Sequence, residues 1–202
     1  METRKVFDEK YQDCLAKIRT ADFSKKAEIL GARIVNQSLV LDFFNRRIAL
    51  SNGRFTDLSG DTLTVAIGLV LCKYLCRCPD QPVESPNRLI TFREFSESGP
   101  LFSSFTANTN KIIESAFTGK LERLKSHCIA LGGTITKRGG YDLTMRFMAL
   151  PRIPIVFNFN DADDLMPATA GFLYHDNADR YLDLECLTIT CTYLTGQLIQ
   201  NT

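Results

Sequence analysis

The stretch Ala32-Arg-Ile-Val-Asn-Gln-Ser-Leu-Val-Leu-Asp-Phe-Phe-Asn-Arg-Arg-Ile-Ala-Leu50 sets the fold class, because its apolar residues recur at a period of two. Ile34, then Leu39, Leu41 and Phe43, then Ile48 and Leu50 predict three short antiparallel strands, turned at Asn36-Gln-Ser38 and Asn45-Arg-Arg47 and closed by Asn52-Gly53. On the N-terminal side the period lengthens. Phe7, Tyr11, Leu15 and Ile18 fall at helical steps over residues 4–19, and Asp22-Phe-Ser24 offers N-cap chemistry for a short second helix that ends at Gly31. On the C-terminal side, residues 60–76 are apolar nearly all round, which predicts a central, buried helix.

The same order recurs further on. Leu131-Gly-Gly-Thr-Ile135 reads like Leu30-Gly-Ala-Arg-Ile34, and the alternation of Tyr141, Leu143 and Met145 falls on Leu39, Leu41 and Phe43. Leu182-Asp-Leu-Glu-Cys-Leu-Thr-Ile189 parallels Leu58-Ser-Gly-Asp-Thr-Leu-Thr-Val65. Between these points the pattern predicts helices at 103–117 and 120–131, a hairpin turned at Gly139-Gly140, strands at Ile153–Phe159 and Phe172–Tyr174, and a final helix at Leu184–Ile199. Arg88–Phe95 is strand-like, and the three prolines between Cys78 and Pro86 mark a linker over 79–87. The expectation is one α+β domain over 1–202, built by internal duplication from two helix–antiparallel-strands–helix halves, about 5–78 and 103–200. The second half carries roughly twenty extra residues, between the strand at Ile153 and the helix at Leu184.

Bulk properties remove several function classes. A chain of 202 residues with 45% apolar residues can bury a sizeable core without a metal or disulfide. The net charge of +1, with both signs mixed along the chain, gives no footprint for nucleic acid or an anionic membrane. No apolar run is long enough to span a bilayer. The first ten residues are charged and lack the apolar core of a signal peptide, and the seven cysteines read as reduced thiols, so a cytoplasmic protein is expected. The G-x-G-x-x-G, P-loop, G-x-S-x-G and H-E-x-x-H patterns are all absent, which leaves no recognisable catalytic motif.

Three groups of residues carry candidate chemistry. Cys72, Cys76 and Cys78 form a Cys-x3-Cys-x-Cys run, which lacks the fourth ligand and the paired spacing of a zinc or iron–sulphur site and reads equally as packed thiols. Asp183 and Glu185 begin a helix, where Ser59 and Asp61 stand at matching places of the first half, so they read as capping residues. The extra segment, Asn158 to Asp176, crowds Asp161, Asp163 and Asp164 into a turn after an apolar strand and places His175 at the end of the next. Oxygen ligands at alternate positions suit a hard cation, and a hairpin would bring His175 back beside the aspartates; Asp161, Asp163, Asp164 and His175 are then metal-ligand candidates. The competing reading is a solvated loop that uses Asn and Asp for its turns.

In order along the chain, Lys73-Tyr-Leu75, Ile90–Phe95, Leu150-Pro-Arg-Ile-Pro-Ile155, the acidic turn through Pro167, and Phe172-Leu-Tyr followed by Tyr181-Leu-Asp-Leu-Glu185 resemble the prokaryotic family called domain of unknown function 3786. The family's turn, Asp-x-Glu-Phe-Pro, here reads Asp161-Ala-Asp-Asp-Leu-Met-Pro167, and His175 stands where Asp is common. The resemblance spans about residues 25–200. It implies an anaerobe's protein associated with corrinoid or iron–sulphur one-carbon metabolism, acting as a non-catalytic binding or accessory module. The bound group would be a corrinoid on that reading; the alternatives are a metal-dependent enzyme using the acidic turn with His175 and a divalent cation, and a structural partner subunit or homodimer.

Overall fold

A computed structural model describes residues 2–23, 25–83, 88–137 and 139–200, the side chains of residues 2–7 excepted. The chain opens with α1 (Glu2–Arg19) and the short α2 (Ala27–Leu30). An antiparallel meander follows: β1 (Arg33–Val35), β2 (Ser38–Phe43), β3 (Arg46–Ser51) and β4 (Arg54–Asp57), paired in that order. Two of its turns need left-handed backbone, and asparagine supplies it: φ is +47° and +63° at Asn36-Gln37, and +51° and +68° at Asn52-Gly53. Asn52-Gly53 therefore leads into a fourth strand rather than closing a unit of three. The middle turn is at Phe44-Asn45, one residue earlier than the sequence pattern suggests.

After the meander, Thr64 caps α3 (Val65–Cys76) by accepting from the Ile67 amide at 3.3 Å. This helix is central, as its composition predicts, but it begins later than residue 60. Of the linker, residues 84–87 lie outside the described residues. β5 (Leu89–Thr91) then turns into a 3-10 segment at Phe92–Glu94, so the strand-like run is shorter than it reads. The helix expected over 103–117 is two: α4 (Gly99–Asn108) and α5 (Asn110–Phe117), broken at Thr109. Buried Thr109 turns its hydroxyl back to the Phe105 carbonyl at 2.6 Å, competing with a straight continuation.

The second meander follows α6 (Leu121–Ala130). It comprises β6 (Thr134–Ile135), β7 (Leu143–Leu150), β8 (Ile153–Asn160) and β9 (Thr169–His175), with β5 added along β9 to give the order β5-β9-β8-β7-β6. The turn residue Arg138 lies outside the described residues. The chain ends with α7 (Ala178–Tyr181) and α8 (Leu184–Gln200), the latter capped by Asp183, which accepts from the Cys186 amide at 2.8 Å.

The fold is α+β, and one apolar cluster runs through it from Leu15 and Ile18 of α1 to Leu194 and Leu198 of α8. α3 packs against both α1 and α8, which places it between the two sheets' helical layers. Three contacts join the first meander and its helices to the second meander. The Phe44 amide donates to the Ala149 carbonyl at 2.9 Å, joining β2 to β7. The buried Tyr74 hydroxyl donates to the Leu30 carbonyl at 2.7 Å and accepts from the Arg152 amide at 3.1 Å. Gly31, at φ +67°, sits so close to Pro151 that an added Cβ would fall 2.7 Å from the proline's own. Each meander thus follows a helix that ends on a left-handed glycine, Gly31 or Gly132, but the capped α3 follows the first directly, whereas α7, which has no side-chain cap, stands between the second and α8.

Candidate functional site

The acidic segment is the loop between β8 and β9, closed by the last pair of their ladder, Asn160 and Thr169. Its aspartates are used in shaping the chain. Asp161 accepts from the amides of Gly119 and Ala162 at 2.7 and 2.8 Å, while its own amide donates to Asp142 at 2.8 Å. Asp163 accepts from the amides of both Leu165 and Met166 at 2.8 Å, and those two bonds hold its carboxyl below the ordinary carboxylate range. Asp164 is exposed, and so are Leu165 and Met166 at the tip. His175 lies at the other end of β9, opposite Leu89, six residues on from Thr169. At roughly 3.3 Å per residue the ladder separates it from the loop by about 20 Å. The hairpin does return, but its register carries the imidazole away from the aspartates. Burial, then Arg146, lowers the His175 pKa, and Asp176 opposes them. Among the described residues no group of three or more His, Cys, Asp or Glu side chains could hold a metal ion.

The cysteine run is also divided. Buried Cys72 and exposed Cys76 lie toward Cys14 of α1, which after burial raises the pKa of both thiols. Cys78 turns instead toward the carbonyls of Pro79 and Lys26, at 3.4 and 4.0 Å. Burial pushes the Cys72 thiol far up and those of Cys128 and Cys191 up to about 12, the state of packed rather than reactive cysteines. Asp183 caps α8 and pairs with Lys73 at 3.6 Å, and Glu185 pairs with Lys10 at 2.9 Å. Their supposed counterparts behave differently. Thr64, not Ser59 or Asp61, caps α3, and Ser59 bonds Asp57.

That last contact leads to a site the sequence pattern does not announce. Where the open end of the first meander meets α8 and the Leu131 corner, a cleft of about 580 Å³ is lined by Asn45, Arg46, Ser59, Asp61, Thr62, Thr64, Ile67, Leu131, Tyr193 and Gln197. Arg46 of this lining is held in an ion pair. Arg46 Nε donates to Asp57 Oδ2 at 2.5 Å; the Asp57 side chain is wholly buried and that of Arg46 is 14% exposed. The other Asp57 oxygen accepts from the Ser59 amide and hydroxyl. Burial works against the Asp57 charge, but Ser59 and then Arg46 outweigh it and hold the carboxyl below its ordinary range. The two remaining guanidinium nitrogens are only loosely engaged, Nη1 with the Tyr193 hydroxyl at 3.4 Å and Nη2 with the Thr62 carbonyl at 3.5 Å. The Tyr193 ring is fixed against Phe43 and Phe44, with centroids 5.2 and 5.6 Å away. The cleft therefore presents oriented N–H donors on a rigid base. Its charged and hydroxyl side chains are Arg46, Ser59, Asp61, Thr62, Thr64 and Tyr193.

The family described as Domain of unknown function (DUF3786) matches residues 22–197. The chain belongs to this family. No curated protein and no solved structure gives a significant match. Every lining residue of the Arg46 cleft and the whole acidic loop fall inside the DUF3786 region, whereas all of α1, Cys14 included, precedes it. No described helix of this DUF3786 protein is long and apolar enough to cross a membrane.

Proposed function

We propose that this DUF3786 protein is a non-catalytic binding module whose Arg46 cleft takes a small polar molecule by an acceptor group. The observation that carries the reading is the buried Arg46–Asp57 pair with two guanidinium nitrogens left at long range, facing an open cleft. A buried ion pair contributes little net stability, because desolvation offsets most of its attraction. What it provides is a guanidinium fixed in place before a ligand arrives, in the planar geometry suited to a carboxylate. On the reading that the two meander-and-helix units are repeats, the cleft forms where they meet, with Arg46, Asp61 and Thr64 from the first and Leu131, Tyr193 and Gln197 from the second.

The test is thermal shift and calorimetry with a panel of small carboxylates, amides, polyols and amino acids at millimolar concentration. Arg46→Lys keeps the charge for Asp57 but loses the planar fork, and should weaken binding by about tenfold or more. Binding that is equal in the wild type and Arg46→Lys, or no binding by any member, ends the proposal. A titration with aquocobalamin followed in the visible spectrum tests the corrinoid association that the family resemblance implies, and an unchanged spectrum would remove it.

A further inference from the structure

We infer that the ligand of the Arg46 cleft carries an ammonium group beside its carboxylate, as an α-amino acid does. This rests on the binding-module reading above and adds the charge balance of the site. Arg46 is matched by Asp57, which is buried outside the lining, and Asp61 is the carboxylate of the lining itself. Asp61 is exposed, and among the described residues no cation lies within ion-pair distance of it. One positive and two negative side chains leave the cleft with a net charge of −1. A simple anion would gain the Arg46 donors yet meet a repulsive carboxylate, while a simple amine would leave those donors unused.

A zwitterion satisfies both. Its carboxylate can take the Nη1 and Nη2 protons of Arg46, which now reach the Tyr193 hydroxyl and the Thr62 carbonyl only at 3.4 and 3.5 Å, and the Tyr193 hydroxyl proton. Its ammonium can donate to Asp61 and to the amide oxygen of Asn45, both in the lining. The hydroxyls of Ser59 and Thr64 are already committed, to Asp57 and to the Ile67 amide, so the ammonium contacts fall to those two residues. Ile67 and Leu131 supply apolar wall for a side chain. Recognition of both ends at once explains why an acidic residue stands in a cleft built on a guanidinium.

The experiment compares L-alanine and L-glutamine with their N-acetyl forms, which lack the ammonium, and with their α-amides, which lack the carboxylate, by calorimetry on the full chain. The free amino acid should bind about five- to tenfold more tightly than either blocked form. Asp61→Asn should bring the free and N-acetyl forms to within about twofold of each other while leaving thermal unfolding unchanged, because Asp61 is exposed. If the N-acetyl forms bind the wild type as well as the free amino acids do, and both are lost in Arg46→Lys, the inference is overturned while the binding-module reading stands. If neither form binds in an Arg46-dependent way, the inference fails, and the wider panel decides the module reading separately.

Discussion

In the β8–β9 loop, Asp161 and Asp163 stand near water and give their oxygens to backbone amides. At the end of β4, Asp57 is shut away from solvent and divides its oxygens between Ser59 and Arg46. Both regions place carboxylates next to a hairpin, yet their consequences are opposite. An exposed carboxylate that accepts local amides fixes a turn and contributes little beyond it. A buried one holds a distant cation in place, and the cost of losing it is the cost of stranding that cation. Acidic density in a sequence therefore marks the first kind more readily than the second.

The largest effect that could break this contrast is on stability. Asp57→Ala leaves Arg46 mostly buried without its counter-ion, which costs about 3–5 kcal/mol. At about 2–4 °C per kcal/mol for a domain of this size, thermal unfolding should fall by on the order of 10 °C. The double substitution Asp161→Ala with Asp163→Ala should move the midpoint by no more than about 2 °C, within the range of ordinary surface changes. Equal shifts from the two variants would show that the regions do not differ as described.

A smaller effect separates them by pH. The folded Asp57 carboxyl titrates below its unfolded value of about 3.9, so its contribution is complete above that value and is lost as the pH falls through the folded one. Asp163 is lowered in the same direction, but in water, where its bonds compete with solvent. Below about pH 4 the wild type should therefore lose stability more steeply than Asp57→Asn, while Asp163→Asn follows the wild-type curve. Unfolding midpoints measured across that window, with the wild type and Asp57→Asn running parallel, would refute the assignment.

Much of the fold is legible because burial imposes a period. The all-round apolar run of α3 forces it between layers, and Ile153–Phe159 can only be a strand covered on both faces, as the buried residues of β8 show. β4 escapes for the same physical reason that the site does. In Arg54-Phe-Thr-Asp57 the inward positions are Phe55 and Asp57, and a charged inward residue erases the alternation that would mark a strand. Had β4 been read from the Asn52-Gly53 turn, the pairing of Ile48 with Asp57 would have brought Arg46 within diagonal reach of it. Tyr193 is a different matter, since 147 residues separate it from Arg46 and only tertiary packing of α8 brings it there. The acidic loop shows the converse. Its residues are adjacent in sequence, so it looks like a site, and the register that takes His175 to the far end of β9 is not written in the spacing.

The smallest effect bears on the loop alone. Asp163→Ala removes the acceptor of two amides, so hydrogen exchange at Leu165 and Met166 should speed up about tenfold or more while exchange in β8 and β9 holds steady. Asp161→Ala should act in the same way at Ala162 and Gly119, the second of which lies on another segment and reports the loop's attachment to the helix before it. Calcium or magnesium added to the wild type discriminates the two uses of a carboxylate directly. A loop whose oxygens are occupied by amides gains no further protection, whereas exchange slowed by the cation at residues 161–166, and not in Asp161→Ala with Asp163→Ala, would restore the aspartates as ligands. The contrast with Asp57 would then be one of ligand rather than of burial: a metal in the loop, an organic zwitterion in the cleft.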